Sequence, residues 1–255
     1  GVDIQPDEFY RLLAQGKPST LSTAAPQPSH FLEAFLAAGE RAQDVLCLTL
    51  SARFSATYGS ACAAVELANG RMSDKRVKVI DSQAAAGGSG LIALAAARGV
   101  SMGHSLDQVA AGVERLIPRI NLLAFLDTFR YLRRSGRVRK FEAWAGSVLS
   151  IKPLTELRLG EARMLERPRS RARATERLLE IMAQRVGRKP VMVNVMEADA
   201  SEDARALSRR IESGFNCREL LVSQFTPVMG LHTGPGLLGV AFYVDDGNGG
   251  PPSEV

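Results

Sequence analysis

The side chains with the clearest chemical potential are Thr23, Ser55, Asp81, Ser82 and His232, each in a loop beside an apolar, strand-like run. Ser55, Asp81 and His232 follow one another in the chain order of the nucleophile, acid and base of α/β-hydrolases. That nucleophile needs a Gly-x-Ser-x-Gly elbow to carry its Oγ on a strained turn, whereas Ser55 stands between Arg53-Phe54 and Ala56-Thr57. Binding is therefore the main reading, and the alternatives are a serine-dependent acyl hydrolase or transferase using Ser55, or a regulatory small-molecule-binding module. His232 is one of three histidines and is followed by Thr233-Gly234-Pro235-Gly236, a glycine-punctuated turn that holds an imidazole firmly and leaves space above the backbone. Gly88-Ser89-Gly90-Leu91-Ile92-Ala93 fits a loose dinucleotide pattern. Its first glycine, however, lies seven residues after Asp81, too far for a phosphate-binding turn.

The elements that must carry these residues alternate in the first half of the chain. A helix is expected over residues 6–15, a strand over 19–25, and a helix opened by Pro28 with Phe31, Leu32, Phe35 and Leu36 at helical spacing. Residues 45–50 read as a buried strand, 51–55 as a loop and 56–68 as a small-residue helix. Residues 77–80 read as a third strand, followed by a Gly-rich loop into a helix over 91–98. Loops that leave strand C-termini and enter helices are where open parallel sheets bind ligands, and helix N-termini there favour anions. From Asn121 the texture changes. Longer charged helices, a hairpin around Leu159-Gly160-Glu161, and strands over 191–196, 220–225 and 239–244 follow; Pro227 is read as closing a strand and residues 231–236 as a loop. The expected division is an α/β domain over 1–120 with a parallel sheet, a mixed α/β domain over 121–245 and a disordered tail over 246–255.

Composition sets the class. The 255 residues are 45% hydrophobic and 23% charged, enough for a substantial core. No run approaches the roughly 18 apolar residues of a membrane span. The first residues show no basic stretch leading into an apolar one, so the expected location is cytoplasmic. Cys47, Cys62 and Cys217 are odd in number and widely spaced, which fits buried free thiols and neither a disulfide framework nor a metal site. The net charge is +5, but six basic residues and no acid lie between Arg130 and Lys140, and seven arginines between Arg158 and Arg177. With no aromatic residue near the second cluster, nucleic acid is not the expected partner. Arg133, Arg137, Arg171 and Arg173 are candidates for docking an acidic protein partner.

Taken in order, these segments resemble the DegV family over nearly the whole chain. Thr23, Pro26 and Pro28 are in register with its Thr-Ser-Gln-Pro-Ser-Pro segment, and residues 50–58 resemble its Ile-Ser-Ser-x-Leu-Ser-Gly-Thr-Tyr. Val79-Ile80-Asp81-Ser82, Tyr131-Leu132-Arg133-Arg134-Ser135-Gly136-Arg137, residues 146–154, Pro168-Arg169-Ser170-Arg171 and His232-Thr233-Gly234-Pro235-Gly236 follow. The departures are Ala24, Ala25 and Gln27 for Ser, Gln and Ser, and Ala56 for glycine. The family's first strand, with its Asp-Ser-Thr motif, has no counterpart, because the chain begins near Phe9-Tyr10.

The resemblance implies a two-domain fold with a long-chain fatty acid between the domains and no catalysis by the carrier itself. It also implies a separate fatty acid kinase that makes an acyl phosphate for bacterial phospholipid metabolism. Thr23, Ser55, Ala56, Arg169, His232 and Thr233 are the ligand-binding candidates, with no metal and no cofactor besides the bound acid. About fifteen methylenes at roughly 0.8 kcal/mol each supply on the order of 12 kcal/mol gross, so a dry slot suffices for the tail. The carboxylate then needs hydroxyls, an imidazole or a helix N-terminus.

Overall fold

A computed structural model describes residues 4–15, 21–68, 70–72, 74–136 and 151–245. Helix α1 (Pro6–Ala14) opens on a proline whose missing N–H costs nothing at that position, and it buries Phe9, Tyr10 and Leu13. Helix α2 (Pro28–Gly39), strand β1 (Asp44–Thr49), helix α3 (Thr57–Ala68) and strand β2 (Arg76–Asp81) follow. β1 and β2 pair in parallel, from Asp44↔Arg76 to Thr49↔Asp81. Helix α4 (Ala86–Ser101) leads to α5 (Leu106–Leu116), whose first turn is closed by a Ser105–Gln108 capping box.

The rest of the chain builds a six-stranded sheet. Its elements are β3 (Asn121–Phe125), α6 (Arg130–Ser135), β4 (Leu154–Arg158), β5 (Glu161–Glu166), α7 (Arg171–Val186), β6 (Val191–Glu197), α8 (Ser201–Gly214), β7 (Cys217–Gln224), α9 (Pro227–Thr233) and β8 (Leu238–Val244). The strand order is β5-β4-β3-β8-β6-β7, with β6 and β7 parallel and the other pairs antiparallel.

Strand alternation sorts the two faces of this sheet. Leu123 and Phe125 join Val193, Val195, Val240 and Phe242 against α7 and α8. Leu122 and Ala124 join Met192, Met196 and Ala241 on the opposite face, with α1, α4 and α5. A smaller core under α2 and α3 packs Phe35, Ala61 and Ala64 against the parallel pair. The fold is thus the small parallel sheet and larger mixed sheet that the sequence led us to expect.

Several local expectations are corrected. Residues 21–27 pair with no strand, and Pro26 has no N–H to give a ladder. The glycine run after β2 is not a loop. It forms the first turns of α4, where a Cβ on Gly87 would sit 2.7 Å from Met196 Sδ on β6, so the glycine sets a close helix–sheet approach. Pro227 opens α9 instead of merely closing a strand, and Leu231, His232 and Thr233 are its last helical residues instead of a loop. The three free cysteines are half-buried instead of buried. Arg137, residues 146–150 of the resembling segments and the expected tail at 246–255 lie outside the described residues. Among the described residues no helix is long and apolar enough to cross a membrane, and no group of His, Cys, Asp or Glu is suited to a metal.

Candidate binding site

A cavity of about 430 Å³ lies between the two sheets, within the range that accommodates a small organic ligand. Its floor is the inner face of the large sheet: Leu122, Ala124 and Leu126 along and just after β3, Thr155 and Leu157 on β4, and Ala162 on β5. Ala85 and Ala86 at the start of α4 and Phe54 in the β1–α3 loop form another wall. Thr23, Ala24, Ala25 and Pro26 line a further side, and Leu132 of α6 with Val228, Met229 and His232 of α9 complete the lining described here.

The polar groups are few and sorted. Thr23 Oγ1 lies 2.9 Å from His232 Nε2, although 209 residues separate them in sequence. Ser55 Oγ lies 2.7 Å from Thr57 Oγ1 and accepts the Thr57 N–H at 3.3 Å, so it also orders the first turn of α3. Thr155 and Thr233 spend their hydroxyls on backbone carbonyls, those of Ala124 at 2.8 Å and Met229 at 3.1 Å. The carboxylate of Glu156, buried on the far face of β4, is held by Arg163 and Arg185. Burial opposes its ionisation, but the hydrogen bonds from Arg185 and Arg163 outweigh that and hold its pKa below the usual carboxylate range. Two hydroxyl-bearing pairs on apolar walls suit one anionic head group and a hydrocarbon body.

The backbone around α9 fixes the imidazole. A Cβ on Gly230 would lie 2.6 Å from Tyr10 Oη, and one on Gly236 2.5 Å from Asp127 Oδ2, so only glycine lets α9 and the turn after it seat this closely. Arg171 then clamps that turn. Its Nη1 donates to Asp127 Oδ1 at 2.7 Å and to the Gly236 carbonyl at 2.6 Å, its Nε donates to Asp203 Oδ2 at 2.8 Å, and its carbon centre sits 5.2 Å from the Phe125 ring centroid.

Of the residues singled out from sequence, the structure brings Thr23, Ser55, His232 and Thr233 to the cavity. Ala56 is exposed beside it and contributes no wall; Arg169 is exposed in the turn between β5 and α7, away from the lining. Arg133 is exposed on α6, and Arg173 is exposed near Glu180 at 3.8 Å. Arg171, expected at a docking surface, is instead drawn inward by two carboxylates and a carbonyl. Asp81 does not serve His232. Its oxygens accept the Gln83 N–H at 2.8 Å and the Ala52 N–H at 3.2 Å, so the hydrolase order does not assemble as a relay. Ser82 is buried 3.0 Å from Ser89. Thr57 also lines the cavity, and its place two residues after Ser55 is the signal that marks it; Leu132, Val228 and Ala162 line it with no local signal in the sequence.

With this geometry in place, the comparisons with known proteins are specific. The family model described as "Uncharacterised protein, DegV family" matches residues 1–245. A DegV domain-containing protein of Streptomyces coelicolor is 35% identical over 242 residues, covering 94% of this chain and 84% of its own. One from Caldanaerobacter subterraneus is 30% identical, covering 95% and 85%. A DegV family protein from Thermus thermophilus, whose solved structure is described as fatty acid binding, superposes with a TM-score of 0.86 at 32% identity, covering 94% of this chain and 85% of that one. DegV from Bacillus subtilis shares the fold, with a TM-score of 0.83 at 23% identity over 96% and 86%. The chain belongs to the DegV family.

Proposed function

We propose that this protein is a carrier that holds one long-chain fatty acid in the cavity between its sheets and performs no chemistry on it. The observation that carries this reading is the Thr23–His232 hydrogen bond at a mostly apolar slot. A carboxylate inserted there accepts from the Thr23 hydroxyl, whose oxygen in turn accepts from the His232 Nε2–H, and the Ser55–Thr57 pair has one further hydroxyl proton to donate, while the methylenes lie on Leu122, Ala124, Leu126 and Phe54. Likeness to the Thermus thermophilus protein supports the choice of a fatty acid. Asp81 is bonded to the backbone amides of Ala52 and Gln83, so it is not placed as the acid of a Ser55–Asp81–His232 relay, which favours a carrier over an esterase.

The carrier then presents its carboxylate to a partner kinase for acyl phosphate formation. Exposed Arg133 and Arg173 remain the candidates for meeting an acidic partner or its nucleotide phosphates, while Arg171 belongs to the clamp. The test is organic extraction of purified protein with mass spectrometry, expected to return fatty acid at close to one per chain. Properly folded protein that carries no lipid and takes up no added fatty acid overturns the proposal.

A further inference from the structure

The tip of the β4–β5 hairpin is seated against two loops of the first half of the chain. Arg158 pairs with Glu161, so Leu159 and Gly160 alone make the turn, at φ 49° and φ 72°, the left-handed pair that suits a tight hairpin. The Gly160 N–H donates at 2.6 Å to the carbonyl of Gln83, in the loop between β2 and α4. A Cβ at position 160 would lie 2.7 Å from Ser51 Oγ and 3.0 Å from Arg53 Cδ, both in the loop between β1 and α3. Arg53 also reaches Glu161 at 3.1 Å.

Both loops meet the cavity within a few residues of these contacts. Ser51 is buried and organises its own loop: its N–H donates to the Ala84 carbonyl at 2.8 Å, its carbonyl accepts the Phe54 N–H at 3.0 Å, and its Oγ accepts the Arg53 N–H at 3.2 Å. Phe54 and the next residue, Ser55, line the cavity, as do Ala85 and Ala86 just beyond Gln83. Gln83, which receives the hairpin, is itself left-handed at φ 50°. Non-glycine residues hold such backbone only where their surroundings impose it, and here Leu159 and Gln83 hold it on the two sides of one junction.

We propose that Gly160 is a positioning residue for the carboxylate of the bound acid: its bond to Gln83 and its close seat on Ser51 fix the loop that presents Ser55. The inference rests on the fatty-acid reading and deepens it. Any side chain at 160 must displace Ser51 Oγ, and Ser51 is buried and bonded through its N–H, its carbonyl and its hydroxyl. The displacement therefore passes along the loop, through the bond from Phe54 to Ser51, to Ser55. Gly160 does not line the cavity, so its effect on binding runs through that loop.

The test measures palmitic acid binding by calorimetric titration to the full chain, to Gly160→Ala, to Ser55→Ala and to the double substitution, each checked for folding by circular dichroism. Gly160→Ala is expected to weaken binding about fivefold, part of a hydrogen bond to a charged acceptor, and Ser55→Ala by at least as much. Because both act through one hydroxyl, adding Gly160→Ala to Ser55→Ala should cost little more. Losses that multiply in the double substitution, or Gly160→Ala that binds as tightly as wild type, overturn the positioning role while leaving the carrier reading intact. Where Gly160→Ala does not fold, amide hydrogen exchange of the wild type decides. Palmitic acid should slow the Gly160 amide several-fold more than that of Gly187, which caps α7 on the opposite face of the large sheet, and equal slowing of the two overturns the role. Wild-type protein that takes up no palmitic acid overturns the carrier reading, and the positioning role with it.

Discussion

Thr23 Oγ1 and His232 Nε2 meet at 2.9 Å, one from the segment that precedes α2 and the other from the last turn of α9. Neither side chain could hold an anion alone without paying to order it. Together they form a relay in which the imidazole N–H orders the hydroxyl that donates to an anion, and the apolar walls around them strengthen that bond.

His232→Ala is therefore expected to weaken fatty-acid binding by about one to two orders of magnitude, since a hydrogen bond to a charged acceptor is worth roughly 1.5–3 kcal/mol. Tail contacts are untouched, so the order of preference among chain lengths is retained. Thr23→Val should cost a similar amount, and the double substitution less than the sum, because the two groups act through one bond to the anion. Calorimetric titration of the three variants checks this; fully additive losses would show that the two residues act at separate places.

Ser55 should prove a binding residue and not a nucleophile. Acyl esters are expected to survive incubation with the protein, and Ser55→Ala should weaken fatty-acid binding modestly. Ester turnover that disappears in Ser55→Ala would reverse the assignment.

The arginines of the basic stretch should separate into two kinds. Arg171→Ala removes bonds to Asp127, Asp203 and the Gly236 carbonyl and the contact over Phe125, so it is expected to lower unfolding free energy by about 2–4 kcal/mol and to loosen the ligand site with it. Arg173→Glu, at an exposed position, should leave denaturant unfolding and fatty-acid affinity close to wild type while weakening any acidic partner. Equal stability losses in the two variants would count against the division.

Glu156 gives the protein an acid-sensitive component. Its pKa is depressed in the folded state, so its ionised form contributes stability at pH values above the ordinary carboxylate range, and that contribution is lost as pH falls through the depressed pKa. Glu156→Gln leaves Arg185 without its charge partner and is expected to cost about 3 kcal/mol near neutrality, with the gap to wild type closing in acid. Urea unfolding measured from neutral to acidic pH decides it, and a gap independent of pH would refute the linkage.

Much of this architecture is written locally. Apolar runs in the sequence place β1, β2, β6 and β8 to within a residue or two, because buried strands need continuous hydrophobic stretches, and Leu159-Gly160 marks the hairpin because that turn needs left-handed backbone. Resemblance of ordered motifs named the family and pointed to Thr23, Ser55 and His232.

What the chain order could not reveal is which distant groups meet. The hydrolase-like succession of Ser55, Asp81 and His232 is equally compatible with a relay, yet the fold turns Asp81 onto backbone amides and gives His232 to Thr23. Arg171 carries the charge of a surface residue and is drawn inward only because Asp127, Asp203 and Gly236 converge on it from three separate segments. Local patterns determine the elements because propensity and periodicity act over a few residues; the site depends on long-range packing, which no short window of sequence contains.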